Sequence, residues 1–377
     1  LLVVKCSLIP PNYGGGMKEN MSITHSINKE WFESFLREGA FLKRSDGQMY
    51  LWSGPWKNSI KSDSYNVSLQ NFFSSHALKF YSQNEVLQIS ADELQKLLFQ
   101  YFPNSTGEIS TKDFSTAHKE SFFENFQTIQ GKIQRQEIEK AVPCSLIRTE
   151  KKPTYSDKVC WIKKLIQTSS ELFSYGFWSK ENGVMGATPE TLFERDGHVI
   201  QSMALAGTLF RSNEATAQQL LKSEKDRHEH QVVVDDIENQ LSRLGWVKKG
   251  DLQVIELPTL FHLKTTFESE IGMKTDEELI QHLHPTPALG VHPRAFGFHW
   301  MEQLLEQKDR DLHGSPLLFQ YGKKKSTCLV AIRNIQWGNY GAKIIAGCGI
   351  VKESQLESEW NEIKNKIDSV LQLLGMK

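Results

Sequence analysis

The chain has 377 residues, 39% of them hydrophobic and 24% charged, which is enough apolar material for one large soluble domain or two ordinary ones. A formal net charge of -1 gives no support to binding nucleic acid or a membrane surface, and no apolar run is long enough to span a bilayer. Cys6, Cys144, Cys160, Cys328 and Cys348 show no paired spacing, so they read as reduced thiols of a cytoplasmic protein.

Taken in chain order, residues 1–20 read as a loose extension marked by Gly14-Gly15-Gly16. Leu1 to Val4 is too short for a signal-peptide core, and Met17 or Met21 offers an alternative start. Residues 28–130 read as a supporting half without catalytic spacing. It holds a hairpin from Ala40 to Trp52 around Asp46-Gly47, then helices over 90–100 and 117–135. Glu150-Lys151-Lys152-Pro153 marks a loop. From residue 136 onward, strands are predicted at 138–144, 172–178, 184–187, 191–195, 198–204, 327–334 and 342–347. Helices are predicted at 214–243, 294–307 and 354–374. Many strands with few β-α-β units indicate an α+β protein with mainly antiparallel sheets.

The last helix carries the densest chemistry. Ala346-Gly347-Cys348-Gly349-Ile350-Val351 is a glycine-rich turn at its mouth, and such turns free backbone N–H groups for an anion. Ser354 and Glu357 have capping-box spacing. Leu356, Trp360, Ile363, Ile367, Val370, Leu371 and Leu374 form an apolar stripe, and Glu359, Glu362 and Lys366 border it on one face. A charged stripe on a terminal helix is ordinarily a solvated face. A second acidic pair, Asp226 and Glu229, stands three apart in Lys225-Asp226-Arg227-His228-Glu229-His230. Two helices that each present two carboxylates could meet around one hard cation, and oxygen donors favour Mg2+ over Zn2+. His228 and His230 are two apart and point away from each other, and residue 232 is Val, so HExxH is absent.

Three further segments are weak singly. In Gly186-Ala187-Thr188-Pro189-Glu190 a proline-fixed turn would hold Glu190 at a strand end, as suits a general acid; an ordinary turn glutamate is the plain alternative. In Ala204-Leu205-Ala206-Gly207-Thr208 the glycine lets a ligand approach the backbone and Thr208 adds a hydroxyl. Arg333 ends an apolar strand, where it could grip a carboxylate or form a surface ion pair.

Together and in this order, these motifs resemble the chorismate-utilising enzymes, which include the large subunits of anthranilate and aminodeoxychorismate synthases, isochorismate synthases and salicylate synthases. The resemblance runs over 137–374. It includes Glu139-Lys140-Ala141-Val142, His262-Leu263-Lys264-Thr265, the 283–290 segment LHPTPALG and Ala331-Ile332-Arg333, besides the segments above. It implies one chorismate-binding domain over 21–377, with 21–130 supporting and 131–377 carrying the motifs, built as two stacked, mainly antiparallel sheets flanked by helices. It implies chorismate as substrate and Mg2+ as cofactor. Glu229 and Glu362 would bind the ion directly, and Asp226 and Glu359 would help through water. Arg333, the amides of Gly347 and Gly349, and Lys366 would hold carboxylates. Gly207, Thr208 and His262 would be further contacts.

The nucleophile distinguishes family members. Water-adding members carry a lysine where amine-adding members typically carry glutamine. Lys140 takes that place and stands fifty residues before Glu190, matching the family's spacing; an alternative frame would use Lys158. Ala206 stands where aminodeoxychorismate synthases typically carry a lysine, and no tryptophan-feedback motif is found. The expected reaction is therefore conversion of chorismate to isochorismate. A neutral Lys140 would be the base and a protonated Glu190 the acid, and no glutaminase subunit is expected. Salicylate synthase, an amine-adding synthase component I and a non-catalytic relative are the alternatives. Menaquinone, siderophore and salicylate routes all remain open downstream. Ser145, Val291, His313 and Leu318 depart from the family pattern, where arginine, glycine, an aromatic residue and glycine are common.

Overall fold

A computed structural model describes residues 7–9, 27–59, 65–74, 78–83, 85–211 and 216–376. Two large antiparallel sheets dominate. The nine-stranded sheet runs, in spatial order, Ser7–Ile9, Glu85–Ser90, Gln48–Ser53, Gly39–Lys43, Phe173–Trp178, Gly183–Thr188, Asn334–Gly338, Gly341–Gly347 and Cys144–Thr149. The path through the ten-stranded sheet runs Val247–Lys249, Leu260–Glu270, Val199–Phe210, Thr191–Asp196, Lys325–Val330, Pro316–Gly322, Asn66–Leu69, Lys79–Ser82 and Lys57–Ser59. Gln253–Glu256 pairs with Leu260–Glu270 off that path.

The two sheets stack face to face. Ala40, Leu42, Trp52, Phe173, Tyr175 and Phe177 from one meet Leu317, Phe319, Tyr321 and Leu329 from the other. The alternation of Phe173, Tyr175 and Phe177 places every second side chain in this layer. The outer face of the nine-stranded sheet is covered by helices Lys29–Arg37, Ala91–Tyr101, Lys119–Gln134, Tyr155–Leu165 and Leu356–Leu373. Helices Glu224–Ser242 and Asp276–Leu283 cover the other sheet. The α+β reading with stacked antiparallel sheets holds. Among the described residues no helix is long and apolar enough to cross a membrane.

The chain passes between the sheets at two corners. Gly183–Thr188 leads through Pro189-Glu190 into Thr191–Asp196 of the other sheet. Lys325–Val330 returns through Ala331-Ile332-Arg333 to Asn334–Gly338. The corners are bonded to each other, Ala187 N–H to Arg333 O at 3.2 Å and Val330 N–H to Glu190 O at 3.1 Å. Gly186 permits this approach, because a Cβ there would lie 2.3 Å from Arg333 O.

Several boundaries differ from expectation. The continuous strand predicted at 327–334 breaks at this corner, where Arg333 adopts φ +54°. The strand expected at 138–144 is a two-residue piece, Lys140–Ala141, followed by Cys144–Thr149. Pro143 lies between them and cannot donate to a ladder. The 198–204 strand extends to Phe210 through a bulge at Gly207, φ +77°. The 214–243 helix is two, Ala217–Lys222 and Glu224–Ser242, because Ser223 leaves helical geometry to cap the second; residues 214 and 215 lie outside the described residues. No α-helix forms at 294–307, only 3-10 turns interrupted by Gly297 at φ +76°. Of the extension over 1–20, Ser7–Ile9 pairs with Glu85–Ser90, and its other residues lie outside those described. Strands Leu260–Glu270 and Pro316–Gly322 and helices Lys29–Arg37, Tyr155–Leu165 and Asp276–Leu283 had no counterpart in the sequence reading.

Candidate active site

The site forms where helices Glu224–Ser242 and Leu356–Leu373 approach the two sheet corners. Its cavity, of about 60 Å³, is lined by Glu190, Gly207, Thr208, Glu229, His262, Arg333, Gly347, Gly349, Glu362 and Lys366, among others. Ten of the thirteen residues singled out in the sequence therefore share one wall. Lys140, Asp226 and Glu359 do not line it.

Lys140 is fully buried immediately behind Glu229, with Nζ 2.9 Å from Oε1. Its strand is clamped on one side by Val291–His292 and on the other by the glycine turn, where Ala141 and Ile350 exchange both backbone hydrogen bonds. Gly349 makes room for the pair, since a Cβ there would meet Glu229 Oε1 at 2.1 Å and Lys140 Cε at 2.7 Å. Lys140 thus stands at the back of the site, in contact with Glu229 and away from the cavity lining. Lys158, the alternative base, is placed elsewhere: it donates to Leu36 O at 2.9 Å from among Trp178, Trp337 and Tyr155. Burial lowers it to about 8 in this structural role.

Glu190 is 3% exposed at its corner. Burial raises its carboxyl to about 8, and Lys140 and Lys366 only partly oppose this, so it holds its proton near neutral pH. Glu229 behaves oppositely. Burial pushes it up, but Lys140, Lys225 and Lys366 outweigh burial and hold it below the usual carboxylate range. Glu359 is raised by burial and by the like charge of Glu362, with Lys225 opposing. Lys225 bridges the helices, its Nζ 2.6 Å from Glu359 Oε1, and Glu359 Oε2 is buried without a hydrogen-bond partner.

Asp226 is committed locally. Its carboxylate accepts at 2.5 Å from the hydroxyl of Ser223, the residue that caps its helix, and burial raises its carboxyl. Ser354 and Glu357 form no capping box. The Ser354 hydroxyl accepts from Val351 N–H and donates to Gly349 O inside the glycine turn, and Glu357 pairs with Lys119 on the surface. Lys366 pairs with Glu362 at 2.6 Å and donates to Gly347 O at 2.8 Å.

His262 Nδ1 lies 3.1 Å from Gly207 O and 3.0 Å from Thr208 Oγ1. Burial first, then Arg333 and Lys366, lower it to about 3, so it is neutral. Donation from Nδ1–H to Gly207 O leaves the lone pair on Nε2. Burial lowers the Arg333 guanidinium to about 10, and it remains a cation. Two buried residues of this region lay outside the sequence-derived set. His313 lines the cavity and is kept neutral by burial and by Arg310, Lys366 and Arg333. Arg310 is fully buried and donates to the carbonyls of Val142, Leu289 and His313, all on the cavity wall. The departures from the family pattern in the 310–320 segment pointed at this stretch, but nothing in the sequence marked a cation bonded only to carbonyls.

The donor set suits a hard dication. Glu229, Glu362, Glu359 and Asp226 offer only carboxylate oxygen, and buried Glu359 Oε2 has no hydrogen-bond partner. Among the described residues no three His, Cys, Asp or Glu side chains converge as a ready-made cage, because Lys140, Lys225 and Lys366 hold these carboxylates.

The family model for chorismate binding enzymes matches residues 55–375. The chain belongs to that family. The relatives it matches include the isochorismate synthase EntC of Escherichia coli K12, 30% identical over 228 residues. Another is the isochorismate synthase MenF of Bacillus subtilis, 29% identical over 266 residues and 68% of this chain. The chain spans little more than half the length of these curated relatives, 57% of the first and 56% of the second. A putative 2,3-dihydroxybenzoate-specific isochorismate synthase, DhbC from Bacillus anthracis, superposes with a TM-score of 0.74 at 21% identity. That match covers 93% of this chain and all of the other, and shows the shared chorismate-enzyme fold.

Proposed function

We propose that this member of the chorismate binding family is an isochorismate synthase, a Mg2+-dependent isomerase that converts chorismate to isochorismate. The observation that carries the reading is the pairing of a buried, proton-retaining carboxyl, Glu190, with a buried lysine, Lys140, at one charged site. Water-adding chemistry needs a proton acceptor and a proton donor of this kind. Ala206, which lines the cavity without an amine, supports a route that forms no covalent enzyme intermediate.

In this mechanism Lys140 acts in its neutral amine form, and its Nζ takes a proton from a water. The water oxygen bonds to C2 of the ring, the double bonds shift, and the C4–O bond breaks. Glu190 gives its proton to the departing hydroxyl, which leaves as water, so one water enters and one departs. Arg333, Lys366 and the glycine turn hold the two carboxylates. Glu229 and Glu362 would hold Mg2+ directly, with Asp226 and Glu359 acting through water. When bound, the ion supplies charge neutralisation at the ring carboxylate.

The test is purified protein with chorismate and Mg2+, products resolved by chromatography, with and without ammonium. Isochorismate without ammonium is expected, with chelation abolishing it. Lys140→Ala and Glu190→Gln should each lower turnover by about 10²-fold or more. Salicylate with pyruvate, or an aminated product formed only with ammonium and calling for a glutaminase partner, would overturn the assignment. One relative is named a vibriobactin-specific isochorismate synthase and one structural neighbour a menaquinone-specific one, and these names support use of the product in a route of either kind.

A further inference from the structure

A second cavity adjoins the candidate site. It measures about 220 Å³ and is walled by Leu172, Pro189, Leu257, Pro258 and Leu373, with Thr259, Ser369 and Gln372 adding polar groups. Arg333 stands in the wall of both cavities. Pro189 faces the outer one, and its neighbour Glu190 faces the inner one. A dry cavity of about 150 Å³ holds a benzene ring. The inner cavity, at about 60 Å³, is too small for a ring as it stands, whereas the outer one has room.

The guanidinium between them has capacity to spare. Arg333 Nη1 donates to Ser369 Oγ at 2.7 Å, and Ser369 Oγ donates on to Lys366 O at 2.7 Å. No described carboxylate pairs with Arg333, so most of its five N–H donors are left for an anion. An apolar pocket ending in one unpaired arginine suits a small ring bearing a carboxylate.

We propose that the outer cavity is the loading site for the ring substrate. Its apolar walls take the ring, Arg333 takes one carboxylate from the outer side, and Ser369 is the positioning residue that holds Arg333 at the boundary. The inference rests on the chorismate reading of the inner site.

The test uses the full chain and benzoate as the probe. Benzoate should bind the wild-type protein in calorimetric titration and inhibit chorismate turnover competitively. Thr259→Trp and Leu373→Trp fill the cavity from its two sides. Each should abolish benzoate binding and lower kcat/KM by about tenfold or more, with kcat changed far less. Ser369→Ala should raise KM severalfold at nearly unchanged kcat, and Ser369→Thr should restore it. Two tryptophan variants with wild-type melting temperature, benzoate binding and kcat/KM would overturn the proposal, as would non-competitive inhibition by benzoate. A wild-type protein that binds benzoate at this cavity but does not turn over chorismate would sink the functional reading and leave the cavity assignment standing.

Discussion

Glu190 shows how far one side chain could be read before the fold was known. Its motif and strand-end position were visible in the sequence. Its proton was not, because burial at a corner between two sheets causes the shift, and that burial is a property of the assembled fold. The shift has a consequence for stability. The folded protein keeps a proton at Glu190 up to about pH 8, whereas the unfolded chain releases it near the ordinary 4.5. The folded state therefore binds more protons between these values, and this contribution is fully present below pH 4.5 and is lost as pH rises toward 8. Glu190→Gln removes the titration. Denaturant melts at pH 5 and pH 9 should show the wild type losing about a few kcal/mol relative to the variant. Parallel stability curves would show that Glu190 titrates normally. Lys140 teaches the reverse lesson. Its position was legible from motif spacing, but its ion pair with Glu229 joins residues 140 and 229, and nothing local in the sequence predicts that contact.

The hairpin at 40–52, the helices near 90–100 and 117–135, and the acidic terminal helix emerged from periodicity and turn chemistry because local patterns fix them. The elements missed or misjudged obey longer-range rules. The break at 331–333 follows from the chain changing sheets, which an apolar run cannot reveal. The split at Ser223 follows from a cap that wins over helix propensity. Gly186 gives a test of the paired corners. An alanine Cβ would press on Arg333 O at 2.3 Å, and a backbone atom cannot swing aside. Gly186→Ala should cost about 1–3 kcal/mol in thermal or denaturant unfolding, as overpacking does. If the corners are coupled, it should also raise KM for chorismate and lower kcat, since Arg333 and Glu190 move together. A loss of stability with unchanged kinetics would uncouple them.

Residues 28–130, which the sequence marks as a supporting half, take a larger part in the topology. Strand Gly39–Lys43 pairs along Phe173–Trp178, and Asn66–Leu69 pairs with Pro316–Gly322, so the first half completes both sheets rather than standing beside them. Trp52 reaches across the sandwich to Phe319, ring centroids 5.5 Å apart. Residues 131–377 alone would expose long unpaired strands on both sheets, and such edges aggregate. The intact chain should unfold in a single calorimetric transition, and the 131–377 fragment should be insoluble or lack one. Two separate transitions in the intact protein would mean that the halves fold independently.

The two corners carry a last consequence. One brings the proposed proton donor and the other the proposed carboxylate grip, and two backbone hydrogen bonds fasten them to each other without using either side chain. The spacing of the two functions is thus written in main-chain atoms, like the jaws of a jig. New side chains can be fitted at 190 and 333 while the distance between the workpieces stays set, so one scaffold can be refitted for different chemistry on the same ring.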